Sequence, residues 1–579
     1  MKLNREHLYR LTLAAIGSGQ GIVFWIAHRL WPEDPKAAAL FAALVSLVTV
    51  FGLILELAWT GRNRTRLFTV AASVAALFAL VTLWAWWQIP GKDALFQGDS
   101  FRLGTLAAAS TLALYILLPY IQILHESGKP VFPYPELFRH SWNNFFIAGT
   151  GCLFAGIFWG LISLWVALFN MLGVSFFEKV FFSFPFVSIT LSAMFGFGIA
   201  LGKESQMVIN TLLRVTLAIF RALMPLLAFI ALLFLATLPF TGLQPLWNTK
   251  SASPLLLGVL LLVILFINAL FQDGSGPRPY PGWLRRGVEG MLLVMPVFAG
   301  LTFYAIGLRI SQYGLTPERF YVVLFAFITG LYGIGYAIGV VRQSGAWMGL
   351  MRPVNVGMSL LVAALALLVH TPVLDPLAWS AQSQYRRLVR GRVDAGLFDY
   401  GALRFQLGRA GHARLEALSR LGDHPQAEII RREVERVRKA VSYYASKKIP
   451  PIPLADRLNV FTPSGSLPDG LVEALLDLYR YYLDECMKKG DCVVFSINVD
   501  NDPELEYAFV TSGEVYSIYL YDRDKELRWR RRGELRFQGG KRPLRAAMIE
   551  AIKKSKMKTV QPEYRDLKIA DWVFSLRLD

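Results

Sequence analysis

The chain has 579 residues, is 54% hydrophobic, has a mean hydropathy of +0.41 and carries a formal charge of +18. That is too apolar and too long for one soluble domain, and it describes a polytopic membrane protein. Residues 1–370 hold 24 Lys/Arg and 13 Asp/Glu, and 371–579 hold 36 and 29. This balance points to loops facing anionic lipid rather than to nucleic-acid binding.

Met1–Arg10 carries Lys2, Arg5 and Arg10 and leads into an apolar run from Leu11 to about Leu30. No small-x-small cleavage pattern follows it, so the run reads as an uncleaved first span. Further runs lie at about 38–59, 67–89, 104–124, 145–172, 180–201, 222–240, 254–271, 288–308, 320–341 and 355–370. A span needs about 20 apolar residues, which gives eleven, the runs at 254–271 and 355–370 being short. With the N-terminus inside, the inner segments hold sixteen Lys/Arg and the outer loops eight. That bias predicts an inside N-terminus in the inner membrane and a tail in the periplasm.

Two proline-rich segments, Lys129–Pro135 and Pro277–Trp283, read as stiff straps along the inner interface. Arg309–Arg319 reads as an eleven-residue polar hinge between two spans. In it, Thr316 is placed to cap a helix and Pro317 to be its first residue. The pairs Gly17/Gly21, Gly156/Gly160 and Gly335/Gly339 have spacings that allow close helix contact. No internal repeat of the inverted-transporter kind is visible.

Residues 371–446 read as a helical segment, with amphipathic patterns at Ser380–Leu388, Leu397–Leu421 and Gln426–Ala445. Residues 447–579 read as a small α+β domain. Its expected elements are a helix at Gly470–Cys486, four strands (Val493–Val499, Glu506–Thr511, Val515–Asp522, Leu527–Phe537), a helix near Leu544–Lys556 and a last strand near Lys568–Leu578. The predicted fold class is therefore an all-α polytopic membrane bundle followed by a helical segment and a small α+β soluble domain.

The hinge Arg309–Arg319, the run Arg390-Gly391-Arg392-Val393-Asp394, the run from Phe398 to Phe405 and Gly408-Arg409-Ala410-Gly411 carry a family likeness. Through them, roughly the second half of the chain resembles the multi-pass bacterial membrane proteins catalogued as domain of unknown function 4153. The resemblance implies a membrane bundle and no particular activity.

Residues that could carry chemistry are few. No hydrolase elbow, Walker loop, zinc-protease pair or dinucleotide fingerprint occurs, and the seven histidines are scattered. Asn498, Asp500, Asp502 and Glu506 place oxygen ligands at relative positions 1, 3, 5 and 9, a spacing that suits weak calcium binding. Against it, Pro503 stands where such loops usually turn on glycine, and acidic hairpin turns commonly hold no ion. Cys486 and Cys492 are six apart and form a disulfide candidate if the tail lies outside. Glu56, Asn268 and Arg221 are the intramembrane polar candidates. Their positions near span ends favour snorkelling or capping.

The expected partners are the lipid bilayer and, for the tail, an envelope protein or anionic polymer, with no nucleic acid; Arg528–Arg532 reads as one solvated strand face. The leading functional expectation is a non-enzymatic envelope scaffold or sensor, and the rival is a transporter or channel for a small solute or ion. A polar cavity lined by Glu56, Asn268 or Arg221 would favour the rival, and a solid bundle the scaffold.

Overall fold

A computed structural model describes residues 5–60, 64–89, 97–244, 252–276, 278–342, 347–440 and 443. In the tail it describes 458–463, 465–471, 474–475, 491–499, 504–511, 518–524, 529–535, 545–554, 567–569 and 572–574. The chain divides into two compact units, Met1–Val434 and Glu435–Asp579.

The first unit is helical. Its elements are α1 (Arg5–Arg29), α2 (Pro35–Ala58), α3 (Arg64–Trp87), α4 (Gln97–Ser127), α5 (Tyr134–Met171), α6 (Phe176–Phe181), α7 (Phe184–Glu204), α8 (Gln206–Thr241), α9 (Ala252–Phe271), α10 (Gly282–Tyr313), α11 (Pro317–Val341) and α12 (Met351–Leu368). After these come α13 (Pro376–Val389), α14 (Tyr400–Phe405), α15 (Gly408–Ser419) and α16 (Ala427–Lys439), the last crossing the unit boundary. All but α6 among the first twelve are long and apolar enough to cross a membrane, eleven among the described residues. Hydropathy locates these spans because a bilayer forces every backbone polar group to be satisfied within its own helix. It misplaces their ends: α5 starts eleven residues before the apolar run, and α8 starts sixteen before it.

The hinge is much shorter than its polar sequence suggests. Arg309–Tyr313 continue α10, so only Gly314, Leu315 and Thr316 separate two helices. Gly314 takes φ +79°, a conformation that favours glycine, and Thr316 accepts from the Arg319 backbone N–H as its position predicts. The straps are corrected in the same way. Tyr134 and Pro135 already belong to α5, because proline is tolerated where a helix begins.

Helices meet where small residues allow. On α1, a Cβ at Gly17 would collide with the Ser192 carbonyl of α7, and one at Gly21 with that of Ser188. These glycines are the contact itself. Gly156 and Gly160 do not act so, since nothing lies near either. One buried core joins α2, α3 and α4 through Ile54, Leu67, Phe78 and Leu118, and takes in Leu367 of α12. A second joins α8 to α11 through Met224, Leu260, Met291, Phe298 and Tyr336.

The segment after α12 folds back onto the spans. Asp375 caps α13 by accepting from the Leu377 and Ala378 amides, and both its oxygens accept from Arg102 at the start of α4. From α13, Gln384 donates to the Tyr313 and Leu315 carbonyls, and Arg387 to those of Ser311 and Gln312. The Arg409 amide donates to the Gln88 carbonyl just beyond α3. The ends of the third and ninth crossing helices and the starts of the fourth and tenth share one face in any alternating arrangement. An eleventh crossing delivers the chain to that same face, so these contacts agree with the count.

In the second unit, β1 (Asn459–Phe461) runs parallel to β2 (Val493–Ile497). Strands β3 (Glu506–Val510), β4 (Ile518–Arg523) and β5 (Trp529–Leu535) continue as an antiparallel meander in the order β1-β2-β3-β4-β5. Alternation sends Val494, Phe509 and Tyr521 to one face with Leu471 and Leu475. Val493, Phe495 and Val510 go to the other, where α17 (Arg545–Lys553) covers them with Ile552. The predicted last strand is a small hairpin instead, β6 (Leu567–Ile569) with β7 (Trp572–Phe574), and β1 was not anticipated.

Candidate functional site

The three intramembrane candidates do not come together. Arg221 lies within α8, not at its start, and it is exposed against the strap, where its carbonyl accepts from the Tyr280 hydroxyl and its guanidinium sits over that ring.

Glu56 neither snorkels nor caps. It is fully buried on α2, and neither carboxylate oxygen has a hydrogen-bond partner among the described residues. A Cβ on Gly196 of α7 would lie 3.0 Å from its Oε1, so tight α1–α2–α7 packing encloses the group. Lys203 is the cation in electrostatic reach, and its ammonium donates to the Trp59 carbonyl at the end of α2. Nearby, Gln122 of α4 and Asn144 of α5 exchange two amide hydrogen bonds of 2.8 and 2.9 Å, and Gln122 also donates to the Leu57 carbonyl. Neither amide stands out in sequence, because a lone Gln or Asn in an apolar run shows nothing of its partner.

Asn268 belongs to a second, closed network. Its amide donates to Tyr336 at 2.8 Å, and Tyr336 donates to Asn355 at 2.7 Å. Asn355 returns a bond to the Asn268 carbonyl oxygen at 2.6 Å and gives its other hydrogen to Tyr134 at 2.9 Å. Tyr134 is thus an acceptor, and among the described residues its own hydroxyl hydrogen has no partner. The network borders a cavity of about 490 Å³ between α4 and α5 on one side and α9, α11 and α12 on the other. Tyr115, Tyr120, Tyr134, Tyr332, Asn268, Asn355, Ser141 and Ser359 supply its polar side chains, and the rest of the lining is aliphatic or aromatic. Among the described residues, no ionisable acid or base other than the tyrosines lines it. An apolar hollow with a few converging hydroxyls and amides suits an amphiphile far better than an ion. Asn355 and Tyr336 were missed in sequence, since each gains its meaning from residues tens of positions away.

In the tail, Glu506 is buried and accepts from the Val499 amide at 2.6 Å, bracing the β2–β3 connection. Asp500 and Asp502 lie outside the described residues, as does Cys486; Cys492 is buried where β2 begins. In β5, the guanidinium of Arg530 pairs with Asp524 and that of Arg532 with Asp522, both at 2.7 Å, and Trp529 packs under Arg523. The basic stretch is therefore a partly neutralised strand face.

A family model described as Domain of unknown function (DUF4153) matches residues 39–418. The chain belongs to this family. The match starts far ahead of the second-half motifs that carry the resemblance and includes ten of the eleven apolar helices. It ends at α15, so the β-sheet unit lies beyond the family region. Comparison with curated proteins and with solved structures finds no match.

Proposed function

We propose that this integral membrane protein binds an amphiphilic small molecule within the bilayer and acts as a carrier or transporter for it. The observation that carries the reading is the 490 Å³ cavity lined by Asn268, Asn355 and the Tyr134 hydroxyl. An apolar body would fill the hollow, and a carbonyl or hydroxyl oxygen on it would accept from Tyr134. A diazirine-bearing long-chain alcohol, photolysed with the full-length protein in nanodiscs, tests this. Labels should concentrate on peptides holding Tyr120, Asn268 and Ser359, and Ser359→Trp should remove them. Labelling spread evenly over lipid-facing helices and untouched by Ser359→Trp would overturn the reading.

The scaffold or sensor reading keeps one supporting observation. The segment after α12 is joined by hydrogen bonds to three span ends and to the turn between α10 and α11, which suits transmission between the bundle and a tail. Two proposals for that tail rest on sequence. A Cys486–Cys492 bridge would be recorded by mass spectrometry of non-reduced peptides, and two free thiols would refute it. Weak calcium binding by Asn498, Asp500, Asp502 and Glu506 would raise Tm at millimolar calcium, and Asp500→Asn would abolish that rise. A wild-type melting curve unmoved by calcium would leave an ordinary acidic turn.

A further inference from the structure

On the face where the chain leaves α12 there is a second cavity, of about 500 Å³, unrelated to the one between the helices. One stripe of α13 forms its wall. Trp379, Gln382, Ser383, Arg386 and Arg390 fall at helical spacings of three, four and seven, so they project from one side. Arg387 and Arg392 also line it, with Leu315 and Pro372, and among the described residues no carboxylate does.

Arg387 is committed to the carbonyls of Ser311 and Gln312. Arg386, Arg390 and Arg392 make no ion pair among the described residues, and all three are exposed. Three unpaired guanidinium groups around one hollow repel each other, and a shared anion relieves that repulsion. The dipole of α13 explains cations at its C-terminal end. It does not explain Gln382, whose side-chain oxygen is buried against this cavity with no hydrogen-bond partner among the described residues. A buried acceptor wants a donor, and a headgroup hydroxyl beside a phosphodiester supplies one while the charge faces the arginines.

The surroundings say where the ligand comes from. Trp379 is 48% exposed, Val373 63% and Leu397 84%, an apolar fringe on the segment that emerges directly from the last span. Half-exposed tryptophan beside arginine belongs at the headgroup level of a bilayer.

We propose that this pocket holds the headgroup of an anionic lipid, its phosphodiester on Arg386, Arg390 and Arg392 and a headgroup hydroxyl donating to Gln382. Native mass spectrometry of the full-length protein in a neutral detergent tests it, with dioctanoyl-phosphatidylglycerol as probe and dioctanoyl-phosphatidylcholine as control. The glycerol lipid should bind about tenfold more tightly than the choline lipid. The Arg386→Gln/Arg390→Gln double variant should lose about that factor, and Gln382→Leu should narrow the preference severalfold. Both arginines are exposed, so the double variant should elute with the wild-type protein on gel filtration; Arg392→Gln provides a second, independent loss. Equal binding of the two lipids, or unchanged binding by both arginine variants, would overturn the proposal. Displacement of phosphatidylglycerol by an equal concentration of inorganic phosphate would also overturn it and assign the pocket to a soluble anion.

Discussion

Arg102 and Asp375 stand 273 residues apart and meet in the interior, with side chains 2% and 4% exposed. Nothing in the sequence marks either residue as the other's partner. Breaking such a pair strands a buried charge, which costs about 3–5 kcal/mol. Asp375→Asn keeps an N-cap side chain and should still lower Tm sharply, while adding Arg102→Met should restore much of the loss. A single variant that melts like the wild type would mean that water reaches the pair. His370 lies beside it, and burial together with the Arg102 charge holds its pKa down at about 4. The neutral form is favoured in the folded state, so the stability His370 contributes is present above about pH 6.5 and lost as pH falls toward 4. The loss should reach on the order of 1 kcal/mol by pH 5.5. Melting curves between pH 7 and 5 should fall more steeply for the wild type than for His370→Asn; parallel curves would contradict the assignment. None of this was legible in sequence, since burial of a polar residue depends on which helices surround it.

Among the elements, the turn between α10 and α11 has little slack. Gly314 sits at positive φ, and a Cβ there would lie 2.5 Å from Arg387 Cδ and 2.6 Å from Gln384 Nε2. Gly314→Val therefore combines backbone strain with displacement of α13, a cost of roughly 2–3 kcal/mol. Limited proteolysis should then cut between α12 and α13 faster than in the wild type, and an unchanged rate would show that α13 does not depend on this turn. Thr316 and Pro317 announced the start of α11 because capping chemistry is local. The end of α10 was concealed, because Arg309–Tyr313 are polar and yet helical: the helix outlasts the hydrocarbon layer. The four strands β2–β5 follow simple alternation, with one register shift at Leu520/Tyr521, whereas β1 is only three residues long and gains its identity from pairing with β2.

At the scale of the whole molecule, eleven crossings put the two ends of the first unit on opposite faces, and the proposed orientation places the tail outside. Residues 371–434 bring ten further Lys/Arg to the tail's face, so the raw count there reaches eighteen against sixteen. The orientation therefore rests on the short loops beside the span ends, over which the rule is counted and which stand at sixteen to eight. A reporter fused after Asp579 that is active only in the periplasm should light up, and a silent one beside an active cytoplasmic counterpart would reverse the orientation. The contact between α1 and α7 bears on how the molecule is made. Helix α1 finds its glycine-matched partner only after four more spans have been synthesised. Until α7 arrives, Gly196 is not there to enclose Glu56, and that carboxylate faces lipid or the insertion machinery at a cost of several kcal/mol. Nascent chains halted before α7 should therefore stay bound to the insertase, and release should come with the seventh helix rather than gradually, span by span.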